Sequence, residues 1–196
     1  MARKYQMRQR AKSEEETRQR IVDATIHLHR EIGDAGTTIS AIAERAGVGR
    51  VTVYRHFPDE RSLLSACTSH YMGQNPPPDP SPWEVIVDPG ERLTAALDDL
   101  YAYYRRNEGM LARAEQDSAS NPILAELMQP LAEYQATIRD MLARERRDDP
   151  LVVAAIGHAV AFATWRSLTR GQGLDDAGAA KLMRDLVRCV TAGVSR

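Results

Sequence analysis

Apolar positions along the chain recur at helical spacing, and no segment alternates apolar and polar residues as a half-buried strand does. Ile21, Thr25, Leu28 and Ile32 mark one face of a helix running from about Glu14 to Ile32, ended by Gly33. Ile39, Ile42, Ala43 and Ala46 fall at i, i+3, i+4 and i+7, which predicts a short amphipathic helix. Thr38 stands where an N-cap belongs, and Gly47 where a left-handed residue ends the helix. A third short helix begins near Arg50 and turns Val53 and Phe57 inward. A fourth follows Pro58 and Asp59 to about Met72, with Leu63, Leu64 and Cys67 on its inner face. Residues 74–82 then hold five prolines in nine positions, a stiff extended connector and a natural boundary.

Beyond the connector the chain is punctuated by three similar helix starts. Asp88-Pro89, Asn121-Pro122 and Asp149-Pro150 each place a capping side chain before a proline suited to the first helical position. Asp88 with Glu91 also fits a capping box. These starts predict helices near 89–107, 122–146 and 150–170, with a short one near 109–117 and a kink at Pro130. Gly171 to Gly173 end one helix, and Asp175-Asp176 start the last, to about Val194. The expected fold is all-α, about nine helices in total. An N-terminal three-helix helix-turn-helix DNA-binding domain precedes a larger C-terminal helical bundle. The expected division is a basic arm over 1–16, the DNA-binding domain over 17–66 and a ligand-binding and dimerisation domain over 67–196.

The second and third helices, joined by Gly47-Val48-Gly49, make the chemistry specific. The outer face of the third carries Arg50, Val51, Tyr54 and Arg55. Arginine forks onto guanine in the major groove, valine meets a thymine methyl, and tyrosine and arginine reach phosphates. Spacing alone also fits a helical hairpin with a wet basic face. The wording TTISAIAERAGVGRVTVYRHF goes further: it resembles the DNA-binding signature of the TetR (tetracycline-repressor) family of bacterial regulators. The matching residues are Thr37-Thr38, Ile42-Ala43, Ala46-Gly47-Val48, Arg50, Thr52, Tyr54, His56 and Phe57. The likeness covers roughly Thr17 to Ala66, about a quarter of the chain. Together the outer face and the resemblance make Thr38, Gly49, Arg50, Val51, Thr52, Tyr54, Arg55, His56 and Arg61 the candidate DNA contacts. The chain departs from the family at His29 and Asp34, where aromatics are usual, and at Glu60, where a phosphate-binding lysine is common. Arg61 is the candidate substitute for that lysine.

Charge supports this division of labour. The net charge of the 196 residues is −1, but residues 1–70 hold 12 Lys/Arg against 9 Asp/Glu, and the remainder 14 against 18. The basic end is the end with the reading motif. Met1 to Lys12 is basic without an acid, an arm expected to be mobile and suited to phosphates or a minor groove. It has no apolar core of a secretory signal, and no apolar run approaches the ~20 residues of a membrane span. Cys67 and Cys189 lie far apart, as in a reducing cytoplasm, and give no metal spacing.

Enzyme signatures are missing: there is no HExxH, Walker loop, GxSxG, Cys-x-x-Cys or Glu-x-x-His pair. The acid pairs Asp98-Asp99, Asp148-Asp149 and Asp175-Asp176 read as caps or solvated faces, and His27 and His29 as structural rather than metal ligands. The chain is therefore expected not to be an enzyme and to need no metal or cofactor. Tyr101, Tyr104, Met110, Arg113, Met128, Tyr134, His158, Phe162 and Trp165, on several helices, are candidates to line a pocket for a small, mainly apolar effector. The resemblance implies such a pocket; taken singly, aromatics and methionines more often make plain core. Ala154, Ala155, Gly157, Ala159, Ala161 and Ala163 on one late helix, and Leu182, Leu186, Val190 and Val194 on the next, suit a four-helix homodimer interface. The expectation is a cytoplasmic, homodimeric repressor of a palindromic operator in double-stranded DNA, released by an effector. The rivals are a small helical enzyme or ligand carrier with an incidental basic hairpin, and an activator or architectural DNA binder without an effector.

Overall fold

A computed structural model describes residues 2–193, with side chains described from Tyr5 onward. Every regular element among the described residues is helical: α1 Ala2–Ile32, α2 Ile39–Ala46, α3 Arg50–His56, α4 Glu60–Gln74, α5 Ser81–Glu84, α6 Pro89–Ser118, α7 Pro122–Leu127, α8 Gln129–Leu142, α9 Pro150–Ala159, α10 Phe162–Arg166 and α11 Asp176–Gly193. A 3₁₀ turn (Arg144–Arg146) follows α8, and a π-type turn (Ser167–Gly171) extends α10. The all-α expectation holds. The segments number eleven for three reasons. α6 runs unbroken where two helices were expected, α5 forms at the end of the proline-rich stretch, and two expected helices are each split.

The predicted punctuation operates in atomic detail. Side-chain oxygens accept backbone N–H groups at four of the expected helix starts: Thr38 from Ala41 (3.2 Å), Asp59 from Ser62 (2.7 Å), Asp88 from Glu91 (2.8 Å) and Asp149 from Leu151 (3.1 Å). Pro130 does more than kink a helix. It sits in the first turn of α8 and separates it from α7, because a proline lacks the N–H that would continue the ladder.

The basic leader departs from expectation. From Ala2 onward it forms the first turns of α1. Its sequence is rich in Arg, Lys, Gln, Met, Ala and Glu, which favour helix. Gln9 donates to the Tyr5 hydroxyl at 2.8 Å, one turn apart, and Lys12 lies 3.8 Å from Glu16. Arg8, Arg10 and Lys12 remain exposed. At the other end of α1, Ile32 is half exposed and not part of the buried stripe.

By packing, the chain falls into two compact units: residues 1–76 with 112–127, and 77–111 with 128–196. The first thus ends within the proline-rich stretch, but also recruits the last turns of α6 and all of α7. Its core gathers Ile21, Val22, Leu28, Ile42, Val53, Phe57 and Leu63 from four helices. The second is built around Trp83, Tyr101, Tyr103, Tyr104 and Trp165, all buried.

Among the described residues no single helix is long and apolar enough to cross a membrane. The bent pair Pro150–Ala159 and Phe162–Gly171 meets that length and composition only when its two halves are taken together. Both halves contribute to the buried core of the second unit.

Candidate nucleic-acid interface

In the first unit α2 and α3 form the helix-turn-helix. Gly47 takes φ 65°, ψ 40°, and its N–H closes onto the Ala43 and Glu44 carbonyls. A residue with a Cβ resists that conformation, so the glycine makes the tight turn possible. Val53 and Phe57 enter the core at 0% and 2% exposure, which fixes the rotation of α3. Val51 and Tyr54 then stand out at 83% and 54%, with Arg50 and Arg55 exposed beside them. Val51 thereby gives the face an apolar contact among cations.

The remaining candidate contacts are placed as follows. Arg50 reaches back to Ser40 Oγ at 3.4 Å, which holds its guanidinium over the start of α2. Thr38 is exposed at that same helix start and caps it. Gly49 is exposed at the start of α3, and Thr52 is half-buried. His56 is half-buried, and its Nε2 has no hydrogen-bond partner within the chain. Arg61 lies apart from this group. It forks onto Glu126 of α7 at 2.8 and 2.9 Å, so a phosphate reaching it would displace a carboxylate. Arg18 stacks 4.7 Å over the Phe57 ring and supports the core from α1.

The second unit places the candidate pocket residues differently from a simple lining. Tyr104 meets Phe162 edge-on at 5.4 Å, and Phe162 stacks on Trp165 at 5.7 Å. Tyr101 lies 6.2 Å from Tyr104 in the same cluster. The break between α9 and α10 explains the tyrosines. Ala161 is extended (ψ 136°), although neither proline nor glycine stands there. The Tyr101 hydroxyl donates to the Ala159 carbonyl at 2.8 Å, and Tyr104 to that of Val160 at 2.6 Å. Two buried phenols thus satisfy carbonyls that the interrupted helix cannot. Burial pushes both phenol pKa values up, so they remain donors. Tyr134 donates to the Pro78 carbonyl at 2.6 Å. Trp165 donates to Asp176 at 2.8 Å, and Arg105 forks onto that same carboxylate. His158 is exposed and pairs with Thr164 across the break at 3.1 Å. Met110 and Met128 are half-buried; Arg113 belongs to the first unit.

A groove of about 840 Å³ opens elsewhere in the second unit, floored by Leu93, Leu142, Ile156 and Val187 and edged by Arg184 and Arg188. None of the nine candidate ligand residues borders it. Its floor is scattered over four helices, and each residue reads in sequence as ordinary core. The acid pairs have structural work: Asp99 accepts from the Trp83 indole at 2.8 Å, and Asp175 caps α11. Burial pushes the Cys67 thiol up to about 12, which keeps it an inert core group. Among the described residues no cluster of three His, Cys, Asp or Glu is arranged to hold a metal ion.

The first unit thus presents a helix-turn-helix, and the second a helical bundle. Residues 21–67 match the model of the bacterial regulatory proteins of the tetR family. The HTH-type transcriptional regulator SrpR of Pseudomonas putida is 36% identical over 86 residues, 41% of this chain and 40% of SrpR. The HTH-type transcriptional repressor KstR of Mycolicibacterium smegmatis is 34% identical over 118 residues, 60% of this chain and 51% of KstR. The chain thus spans about two fifths of the one and half of the other. Over 90% of its length it superposes on 96% of a TetR-like transcriptional regulator from Rhodococcus sp. RHA1, with a TM-score of 0.64 and 19% identity, which is a shared fold. Residues 21–67 thus match the DNA-binding region of the tetR family of bacterial regulatory proteins, and the chain as a whole shares the fold of a TetR-like regulator.

Proposed function

We propose that this protein is a transcriptional repressor that binds a palindromic operator as a homodimer and is released by a small, mainly apolar effector. The observation that carries the reading is the outer face of α3. Arg50, Val51, Tyr54 and Arg55 are all exposed, on a helix whose rotation the buried Val53 and Phe57 fix. That face offers bidentate donors, a methyl contact and a phenol in the footprint of a major groove. The basic first turns of α1 add phosphate contacts. The repressor sense is the role named for KstR, carried here as a proposal. Work on DNA places the protein in the cytoplasm.

The dimer surface in this reading is the joint face of α9 and α11, which pack on each other within the second unit. Leu151, Leu182 and Leu186 are 63%, 40% and 48% exposed there, and Ala154 and Cys189 are exposed as well. Val190 is half-buried, and Val194 lies outside the described residues. Ala159 is fully buried, so the small residues of α9 serve internal packing as well as an outer face. The effector occupies the second unit. Its aromatic cluster is closed by ring contacts, while the groove beside α6 and α11 has the volume and apolar floor of a small-molecule site. Asp99 and Asp175 serve as an indole acceptor and a helix cap, and Asp149 caps α9, which speaks against a catalytic role for these acid pairs.

The test is selection of duplexes from a random pool by the full chain, followed by sedimentation of the complex. A palindromic site bound by two chains, with half-site centres ~34 Å apart, is expected. Enrichment of no sequence, or of an asymmetric site bound by one chain, contradicts the reading.

A further inference from the structure

His29, Asp34 and Glu60 meet beside Asn121 in the first unit. Asn121 was expected only to cap α7, and it does: its Oδ1 accepts from the Ile123 and Leu124 N–H groups at 2.9 and 3.4 Å. Its Nδ2 donates to Asp34 at 2.9 Å and to Glu60 at 2.7 Å. The amide orientation follows from its neighbours, since oxygen faces N–H donors and nitrogen faces carboxylates. One side chain therefore bonds the loop after α1, the first residue of α4 and the first turn of α7. Around it, the Asp34 N–H donates to Asp117 at 2.9 Å, and His29 lies 3.5 Å from Asp34. Arg61, beside Glu60, forks onto Glu126 of α7. Leu63 on α4 packs in one core with Val53 and Phe57, so the placement of α4 bears on α3.

We propose that Asn121 is a positioning residue for DNA recognition: through Asp34 and Glu60 it holds α1 and α4 on α7 and so sets the reading helix α3. The proposal rests on the DNA-binding reading above. Without a donor between them, Asp34 and Glu60 present like charges to one another, and charge-assisted bonds to carboxylates are stronger than neutral ones. The cap and the clamp are chemically separable. Aspartate caps a helix as well as asparagine does, but accepts where asparagine donates.

The experiment compares the full chain, Asn121→Asp, and Asn121→Asp combined with Asp34→Asn and Glu60→Gln, which restores both bonds with reversed polarity. Amide hydrogen exchange is read over residues 33–38 and 59–66, and affinity is read on the duplex selected by the wild-type chain. Asn121→Asp is expected to speed exchange in both segments and weaken binding, each by about tenfold or more. The Ile123 and Leu124 amides should stay protected, and the triple variant should recover both properties. Unchanged exchange and binding in Asn121→Asp, or a folded triple variant that does not recover, overturns the proposal. If exchange changes while binding does not, the clamp is structural only and the positioning role is wrong. A wild-type chain that selects no duplex overturns the DNA reading instead, and the role given to the clamp with it.

Discussion

The reading head and the second unit differ in where they keep their hydrogen-bonding side chains. The core of the head is apolar apart from Thr25, whose hydroxyl turns back to the Ile21 carbonyl of its own helix. Its α2 and α4 are capped from within three residues. The second unit buries two tryptophans, three tyrosines, Arg92 and Asn107. Its broken helix is satisfied by phenols 56 and 58 positions away in sequence. Arg92, fully buried, donates to the Ile86 carbonyl at 2.9 Å and pairs with Glu145. Helix starts are thus finished locally in both units, but the break between α9 and α10 in the second is finished by side chains of a distant helix. The first design leaves the outer faces free for a partner. At that break the second makes helix geometry depend on packing.

Substitutions can break this contrast. The largest effect is expected for Trp165→Ala. It opens a cavity in the aromatic cluster and removes the donor to Asp176, at a cost of about 3–5 kcal/mol in thermal or denaturant unfolding. A loss as small as that of an exposed residue would show that the cluster is not the core of its unit. Leu186→Glu sets a charge in the proposed dimer face, and a dry interface resists it by several kcal/mol. Monomers are expected in sedimentation, with a chain that still melts cooperatively; a persistent dimer places the interface elsewhere. Tyr104→Phe keeps the ring but strands the Val160 carbonyl, costing about 1–3 kcal/mol. Thr25→Val, the matching change in the head, is expected to cost less, because its hydroxyl bonds a carbonyl already in a helical ladder. Equal costs would erase the distinction.

The smallest effect concerns pH. Burial lowers the His29 pKa below the ordinary 6.5, against the opposing pull of Asp34, Asp117 and Glu60. The folded head therefore binds fewer protons than the unfolded chain in that range. Its contribution to stability is complete above pH 6.5 and is lost as pH falls through the lowered value. His29→Gln should flatten the stability profile on the acid side of neutrality, read from unfolding midpoints across pH. A profile unchanged by the substitution would put the acid sensitivity elsewhere.

This contrast also explains what could be read from the amino acids. Helix starts at Thr38, Asp59, Asp88, Asn121 and Asp149 are local signals, and all five operate as read. The exposed face of α3 follows from the inward turn of Val53 and Phe57. The α9–α10 break was illegible because nothing within it breaks a helix; its cause lies in Tyr101 and Tyr104 on α6. For the same reason Tyr101, Tyr104 and Trp165 looked like pocket walls, when their rings close on each other and their polar atoms hold helices. The groove was missed because its floor has no polar signature. Asn121 was legible as a cap, but its two carboxylate partners come from α4 and from the loop after α1.

The central claim is that α3 reads bases, and the most direct measurement is equilibrium binding of the wild-type chain and Arg50→Ala to the selected duplex and a scrambled one over a salt series. For the wild type, affinity should fall linearly in a log–log plot against salt on both duplexes, with a clear preference for the selected site. Arg50→Ala should lose about 1–3 kcal/mol on the selected duplex and far less on the scrambled one. Equal losses on both would make Arg50 a phosphate contact, and no loss on either, with the fold intact, would contradict the assignment of the face.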